Sequence, residues 1–305
     1  MLNKLLVITG PTGVGKTEFA VSLAQKISGE VVSADSRQVY CGMDIGTAKP
    51  TLQENKSVRH HLIDVVNPDE PFTLQRYQEL AYDAIDQIIA AGKKPMLVGG
   101  TGLYIQAVVD GLKIPHVPPQ DNLRKELEGL NAADLVARLT AVDPDSAKVI
   151  PPQNKRRLIR AIEVTELTGQ PFSVLGRQYH RRYDTLQIGL TASREELYRR
   201  ADERVDRWLK AGWLAEVKQL RSQYSETLPA MSGLGYRQMG MYLDGKISLE
   251  EAVRRIKFDI HGYIRRQITW FRRDQGITWY DTTEAGWREE VAKHISSWYA
   301  EENES

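Results

Sequence analysis

The chain has 305 residues, with 41 Lys and Arg residues against 40 Asp and Glu residues, a formal net charge of +1 and one cysteine. This length allows about two domains, and the single Cys41 excludes a disulfide framework or a zinc site built from cysteines. The balanced charge means that any nucleic-acid surface must be local. Because no apolar run approaches the roughly 18 residues of a membrane span and no signal peptide precedes Leu5, we expect a cytoplasmic protein without membrane contact.

The first predicted element is a short apolar strand, Leu5–Thr9, that runs into a glycine-rich loop made of Gly10, Pro11, Thr12, Gly13, Val14, Gly15, Lys16 and Thr17. This loop fits the phosphate-binding pattern G-x-x-x-x-G-K-[ST], and the helical spacing of residues 18–27 supplies the helix that the motif requires. Backbone N–H groups and the helix N-terminus would surround phosphate oxygens, with Lys16 adding a charge and the Thr17 hydroxyl contacting Mg²⁺. The loop predicts a polyphosphate or diphosphate ligand, without specifying ATP or hydrolysis.

The second predicted strand, residues 30–33, is followed by Asp35. Ligands of open α/β sheets bind at the carboxyl ends of strands, so Asp35 is a candidate general base or metal ligand. An Asp-Ser pair is equally typical of a turn cap. A third strand is expected at residues 61–65. A nucleotide hydrolase usually has an aspartate at a strand end that positions Mg²⁺ or water, and here Asp64 is the only substitute for it, with Asp35 as a competitor.

A helix predicted at residues 73–91 precedes a fourth strand at 95–98, which ends at Gly99, Gly100, Thr101 and Gly102. The glycines would permit a close approach to a ligand, although spacing alone favours Thr101 as the N-cap of the next helix. The strand end has no aspartate, which weakens a plain ATPase interpretation. These elements predict the α/β class, with a parallel sheet flanked by helices.

A proline cluster at residues 114–119 marks a linker, and only helical periodicity follows as far as about residue 183. A strand is expected again at 186–190, and a last one at 277–280. Ser193 and Ser248, each with a glutamate three residues on, predict the starts of two long helices. The simplest architecture is an all-helical insertion domain at 115–183, carried by a core formed from 1–114 and 184–305.

Two basic runs lie in the insertion, at residues 155–160 and 177–182. On a helix, Arg156, Arg157 and Arg160 would share one face. Such runs are usually solvated, but two of them interleaved with aromatic residues are equally consistent with nucleic-acid binding. A second cationic face that suits a phosphate backbone is predicted on the helix from 248 to 274, formed by Arg254, Lys257, His261, Arg265 and Arg272.

Several segments, taken together, resemble the bacterial tRNA dimethylallyltransferase family, also called tRNA isopentenyltransferases. They follow one another along nearly the whole chain, at residues 10–17, 33–50, 98–104, 160–164, 234–237 and 266–272. The phosphate loop is widely shared among unrelated proteins, whereas 33–50 and 266–272 are far more specific. The resemblance implies a P-loop NTPase-like core. It also implies transfer of the dimethylallyl group of dimethylallyl diphosphate to N6 of the adenosine just 3′ of the anticodon, in tRNAs that read codons beginning with U.

The resemblance also implies roles for individual residues. The phosphate loop would bind the diphosphate with Mg²⁺ at Thr17, while Lys16 and Arg204 would stabilise it as the leaving group. Asp35 would take the N6 proton, and Thr101 would orient the adenine or the diphosphate. The residues implied to contact the anticodon stem-loop of tRNA are Asp35, Ser36, Arg37, Gln38, Thr101, Arg124, Arg156, Arg157, Arg160, Tyr236, Arg237, Arg265, Arg266, Gln267, Trp270 and Arg272.

Two other functions are compatible with the phosphate loop. A P-loop small-molecule or nucleotide kinase would turn over ATP, but it leaves both basic regions unexplained. A non-catalytic RNA-binding switch would bind nucleotide tightly, and Asp35 would be dispensable. The prenyltransferase accounts for the most motifs, and we expect it to act as a monomer with Mg²⁺, tRNA and dimethylallyl diphosphate.

Overall fold

The computed structural model describes residues 2–55, 57–175 and 179–301. The chain forms two compact units, one made of residues 1–109 and 182–305 and the other of residues 110–181. The smaller unit overlaps the segment 115–183 that the sequence predicts as an insertion.

The larger unit is built on a six-stranded parallel sheet, which confirms the predicted α/β class. The strands lie in the order β3-β2-β4-β1-β5-β6. Their bounds are β1 Asn3–Thr9, β2 Gly29–Ala34, β3 His60–His61, β4 Lys94–Gly99, β5 Tyr183–Thr191 and β6 Ile277–Asp281. Because all strands run the same way, their carboxyl ends meet at one edge of the sheet.

The third strand is shorter than the sequence predicts. It comprises His60–His61 rather than residues 61–65, because Leu62 and Asp64 have φ angles of 62° and 56°. This left-handed conformation is incompatible with an extended strand. Residues 62–64 therefore form a bend instead of continuing the strand.

Helices cover both faces of the sheet and form the smaller unit. In the larger unit they are α1 Lys16–Ile27, α2 Leu52–Asn55, α3 Leu74–Ala90, α4 Gly102–Gln106, α10 Arg194–Lys210, α11 Trp213–Gln223, α12 Tyr236–Leu243, α13 Leu249–Phe271 and α14 Trp287–Ala300. In the smaller unit they are α5 Asp121–Gly129, α6 Ala132–Val142, α7 Pro144–Val149, α8 Lys155–Thr168 and α9 Phe172–Leu175. A π-helical turn, Ala107–Gly111, continues α4. No helix in the described ranges is both long and apolar enough to cross a membrane.

The two predicted helix starts are confirmed. The Ser193 hydroxyl accepts the N–H of Glu196 at 3.2 Å, and the Ser248 hydroxyl accepts the N–H of Glu251 at 3.1 Å. The glutamate carboxylates bond arginines one turn further along their own helices. Each serine therefore caps its helix, while the glutamate serves as an ion-pair partner on the helix surface.

The sheet is buried on both faces, as a parallel sheet requires. In β1, Leu6 and Ile8 pack into one apolar cluster, while Leu5 and Val7 pack into a second cluster on the opposite face, and all four are fully buried. The smaller unit has an apolar core of its own. The strand β1 is thus buried on both faces and paired with β4 and β5 on its two sides.

Candidate active site

The phosphate loop between β1 and α1 has the backbone conformation that its glycines allow. Gly10, Gly13 and Gly15 have φ angles of 141°, 86° and 95°, a region that other residues rarely adopt. A Cβ atom on Gly10 would lie 2.2 Å from the carbonyl oxygen of Leu190 in β5. The loop therefore closes tightly against the neighbouring strand, and it requires glycine at that position.

Lys16 folds back over this loop. Its ammonium group donates to the carbonyl oxygens of Gly10 and Pro11, both at 2.9 Å. Its pKa is lowered from 10.5 to about 7, chiefly by burial and also by the charge of Arg204, while the charge of Asp35 opposes the shift. A bound anion would favour the charged form of Lys16.

Arg204 reaches the same loop from α10. Its Nη2 donates to Thr12 Oγ1 at 2.6 Å, and its guanidinium lies over the Trp208 ring, 4.9 Å from the centroid. Burial lowers the pKa of Arg204 to about 10, so the group stays charged at neutral pH. Its buried Nε has no hydrogen-bond partner among the described residues, which leaves a cationic donor available beside the loop.

Asp35 and Thr101 meet at the carboxyl ends of β2 and β4. Asp35 Oδ1 accepts the N–H groups of Arg37 at 2.8 Å and Gln38 at 3.4 Å, so the carboxylate does cap a turn. The Thr101 side chain does not cap α4. Thr101 is nevertheless the N-cap residue of α4 by position, as the spacing predicts, while its Oγ1 accepts the N–H of Ser36 at 3.0 Å.

Two cavities of the larger unit share the wall that carries Asp35. The first, of about 680 Å³, is lined by phosphate-loop residues 12–17, Asp35 and several arginines. The second, of about 400 Å³, is lined by Asp35, Trp208, Tyr236 and Tyr263. Thr12 and Arg204 also line both. A charged, phosphate-binding space therefore adjoins a space with aromatic walls, and the carboxylate lies between them.

The cavity offers oxygen donors suited to Mg²⁺ bound through a phosphorylated substrate. Mg²⁺ usually takes one or two protein oxygens and completes its shell with phosphates and water. The exposed Thr17 and the Asp35 carboxylate both line the cavity. The described ranges contain no group of three or more His, Cys, Asp or Glu side chains that could hold a metal ion.

Asp64 is not part of this site. Its carboxylate accepts a hydrogen bond from Lys49, and it is absent from the described residues that line either cavity. Residues 62–64 form a bend, so Asp64 does not end a strand of the sheet. The interpretation of Asp64 as a hydrolase-type aspartate is therefore wrong.

Gln38 and Arg37 are engaged within the protein. Gln38 accepts from the Ser33 hydroxyl at 3.0 Å and donates to the carbonyl oxygens of Thr47 and Ala48, both at 3.2 Å. Arg37 donates to the Pro229 carbonyl at 2.9 Å. These bonds connect the turn after β2 to other segments that line the cavities.

Two residues that the resemblance assigns to RNA contact lie in the interior. Tyr236 is 2% exposed and donates to the Glu216 carboxylate at 2.7 Å. Gln267 is 5% exposed, and both ends of its amide bond backbone groups. Tyr236 packs against Trp213 of α11, and Gln267 lies between the phosphate loop and the turn that follows β4.

The cationic face predicted along α13 is interrupted. Lys257 and His261 pair with Asp206 and Asp202 of α10 at 2.8 Å and 2.9 Å, because this half of α13 packs against α10. Arg254 pairs with Glu251 one turn earlier. Among the contacts predicted between residues 236 and 272, those that remain exposed are Arg237, Arg265, Arg266, Trp270 and Arg272.

In the smaller unit, the basic helix α8 divides into free and paired arginines. Arg156 and Arg157 are exposed. Arg160 and Arg124 both bond the fully buried Glu163, at 2.7 Å and 2.8 Å. That carboxylate compensates part of their charge and holds their orientation.

The second basic run is described only in part, because Arg177 and Gln178 lie outside the described residues. Arg181 pairs with Asp110 at 3.7 Å, and Arg182 pairs with Asp86 at 3.0 Å. Those two arginines are therefore partly neutralised within the protein.

Sequence reasoning missed several side chains of the larger cavity. Arg200, Arg207 and Arg288 line it together with Trp287. Arg200 and Arg288 are paired with glutamates. Arg207 lies one turn after Arg204 on α10, a spacing that could have revealed it once Arg204 was assigned to the cavity.

Comparisons with known proteins agree on one family. A family model described as IPP transferase matches residues 38–274. The chain is 48% identical to a tRNA dimethylallyltransferase of Roseiflexus sp. over 96% of this chain and 98% of the relative. It is 46% identical to one of Thermomicrobium roseum over 98% of this chain and 93% of the relative.

Solved structures give the same answer. A full-length tRNA isopentenylpyrophosphate transferase from Bacillus halodurans superposes with a TM-score of 0.74 at 39% identity, covering 97% of this chain and 96% of that one. A eukaryotic dimethylallyltransferase acting on tRNA superposes with a TM-score of 0.81 at 31% identity, covering 92% of this chain and 74% of that one.

Proposed function

Since the chain belongs to the IPP transferase family, we propose that it transfers the dimethylallyl group of dimethylallyl diphosphate to N6 of an adenosine in tRNA. The acceptor is the adenosine just 3′ of the anticodon, in tRNAs that read codons beginning with U. Diphosphate is the second product. The relatives named above are tRNA dimethylallyltransferases and a tRNA isopentenylpyrophosphate transferase, which supports this assignment.

One observation carries the proposal: Asp35 lines both the phosphate-loop cavity and the aromatic-walled cavity. A prenyl diphosphate has a strongly anionic end and an apolar end, and an adenine has a flat face that stacks on aromatic rings. Two adjoining cavities of these characters suit a reaction between the two molecules. A carboxylate on their shared wall is suited to act where the new bond forms.

The leaving group is stabilised by the phosphate loop. As the bond between the allylic carbon and oxygen breaks, its electron pair stays on the diphosphate, and negative charge develops there. Lys16, the unpaired Nε of Arg204 and the loop N–H groups are the donors that would stabilise that charge. Mg²⁺ bound through Thr17 and the diphosphate would neutralise further charge.

The acceptor amine forms the new bond to the allylic carbon and loses a proton. Asp35 uses Oδ1 for its two turn bonds, and this fixes the orientation of the carboxylate. Oδ2 is then the oxygen that takes the N6 proton. Since the adenine must leave its stack to reach a half-buried carboxylate, base flipping is expected.

The tRNA is held by exposed cations and an exposed indole. On α13 and its C-cap residue these are Arg265, Arg266, Trp270 and Arg272, and on α8 they are Arg156 and Arg157. Arginines bind RNA phosphates, and an indole offers a stacking surface for an unpaired base. Anticodon-loop specificity is part of the same proposal.

A label-transfer assay tests this function. Purified protein is incubated with Mg²⁺, unmodified tRNA and dimethylallyl diphosphate labelled in the prenyl group, and diphosphate release is followed in parallel. We expect one diphosphate for each label transferred, and no reaction when ATP replaces the donor. Formation of ADP without prenyl transfer would show that the phosphate loop turns over ATP, and it would refute the proposal.

A further inference from the structure

Gln267, on α13, joins the two loops between which the reaction would occur. Its Oε1 accepts the N–H of Thr12 in the phosphate loop at 2.9 Å. Its Nε2 donates to the carbonyl oxygen of Gly100, beyond β4, at 2.8 Å. Only 5% of the Gln267 surface is exposed. The bond to Gly100 is buried and the bond to Thr12 is partly buried, so an unsatisfied partner would be costly.

The same end of α13 lies against the β4 turn at a second point. A Cβ atom on Gly102 would come within 2.2 Å of the Trp270 indole, and one on Gly100 would come within 2.4 Å of Gln267 Nε2. Both glycines are therefore needed for the helix to approach the turn. Gln267 and Trp270 are three residues apart, so they share one face of the helix.

This turn also supports the candidate base. Thr101 follows Gly100 directly, and its hydroxyl accepts the N–H of Ser36 at 3.0 Å. Ser36 is the residue after Asp35. A short chain of contacts thus runs from the phosphate loop through Gln267 to the segment that carries the carboxylate.

We propose that Gln267 is a positioning residue. It sets the distance between the phosphate loop and the turn after β4, and through Thr101 it sets the distance to the turn after β2 that carries Asp35. An amide suits this task, because it presents one acceptor and one donor in a fixed plane. The expected loss of rate rests on the proposed function. The expected effect of Gln267 on diphosphate binding by the phosphate loop does not depend on that function. It also differs from the direct RNA contact that the resemblance implies for Gln267.

The test uses Gln267→Met, with Gln238→Met as the matched control. Gln238 is also buried, at 3% exposure, and its amide also accepts one backbone N–H, from Gly235, and donates to one oxygen, of Asp259. It does not line either of the two cavities of the site. Comparing Gln267→Met with Gln238→Met separates the general effect of losing a buried amide from the loss of the link between the phosphate loop and the turn after β4.

Misplacement of reacting groups by about 1 Å can cost on the order of 100-fold in rate. We therefore expect Gln267→Met to lower kcat by about that factor and to weaken binding of inorganic diphosphate with Mg²⁺. Affinity for tRNA should stay within about twofold, since no phosphate contact is removed. Gln238→Met should retain kcat and diphosphate affinity even if its melting temperature falls equally.

Gln267→Glu supplies a second readout. A buried carboxyl group has a raised pKa, and in its neutral form it can accept from Thr12 and donate to Gly100 as the amide does. Its activity relative to the unsubstituted protein should therefore be highest at low pH and should fall as the carboxyl ionises. Gln267→Met should show no such recovery.

Two results would overturn the inference. One is equal loss of diphosphate affinity in Gln267→Met and Gln238→Met, which would mean a general effect on stability. The other is weaker tRNA binding with unchanged diphosphate affinity, which would mean an RNA contact. Because diphosphate binding is measured without prenyl transfer, failure of the proposed function would leave this readout intact.

Discussion

The Asp35 carboxylate both caps the turn after β2 and is placed to act as the proposed base. One oxygen holds the turn after β2, while the carboxylate lines both cavities. Asp35→Asn retains an oxygen acceptor for the turn but removes the base. We expect kcat to fall by about two to four orders of magnitude, as for loss of a general base, with tRNA affinity unchanged.

Asp64→Asn is the control for this substitution, since Asp64 is also a turn aspartate but pairs with Lys49 outside the cavities. Single-turnover rates of both variants, measured with saturating tRNA, give the comparison. Full activity of Asp35→Asn would exclude Asp35 as the base.

Lys16 predicts a pH dependence of ligand binding. Its pKa in the free protein is lowered from 10.5 to about 7, and a bound diphosphate must raise it, because an opposite charge favours the ammonium form. Binding above pH 7 therefore takes up a proton. Affinity for the prenyl diphosphate should fall as pH rises through about 7 and beyond.

Calorimetric titrations at pH 8 in buffers of different ionisation enthalpy measure that proton uptake directly. The expected result is net uptake by the unsubstituted protein and a smaller uptake by Lys16→Met, which still binds through the loop N–H groups. Identical uptake in both would show that the proton goes elsewhere.

For single residues, the sequence predicts which residues belong to functional motifs better than it predicts whether their side chains are buried or paired. The phosphate loop and Asp35 lie in motifs whose spacing has a direct physical meaning. Gln267 lies in an equally specific motif, but whether position 267 faces solvent or the sheet depends on how α13 docks. The burial of Tyr236, and the pairing of Arg160 with Glu163, likewise depend on packing.

Among the elements, the helices and the long strands were predictable, because their apolar periodicity and capping residues act locally. The third strand was not, because an apolar run at residues 62–65 satisfies the strand pattern while Leu62 and Asp64 adopt left-handed backbone. The prediction of a continuous cationic face on α13 was wrong for a related reason. Lys257 and His261 have the spacing of a solvated face, but their partners, Asp206 and Asp202, come from another helix.

The free half of α8 predicts a measurable electrostatic effect. Arg156 and Arg157 are exposed, and each phosphate contact contributes about one unit to the slope of log K against log salt. Replacing either arginine with Ala should reduce the slope for tRNA binding by about one unit, and replacing both by about two.

Lys148→Ala is the matched control, since Lys148 is an exposed cation of the same unit that pairs with Asp145 at 3.3 Å. Salt titrations of tRNA affinity for these variants separate a specific contact from loss of net charge. If Lys148→Ala reduced the slope as much as Arg157→Ala, the α8 face would not be part of the interface.

For the whole molecule, the order of motifs along the chain was the decisive signal. The phosphate loop alone left a kinase or an RNA-binding switch open. The segments at 33–50 and 266–272 narrowed the choice, because they resemble one family far more specifically than the phosphate loop does. The structure then shows that Asp35 and Gln267, far apart in sequence, lie near the same edge of the sheet. The family model begins at residue 38, so the proposed roles of the phosphate loop and Asp35 rest on the geometry described above.

The central claim is that the chain prenylates one adenosine of tRNA. Mass spectrometry of nucleosides and of anticodon-loop fragments, after incubation of unmodified tRNA with the protein, Mg²⁺ and dimethylallyl diphosphate, tests it most directly. We predict the mass gain of one dimethylallyl group on the adenosine 3′ of the anticodon, only when the prenyl donor is present. An unmodified adenosine at that position, with the donor consumed or with ATP hydrolysed in its place, would contradict the account.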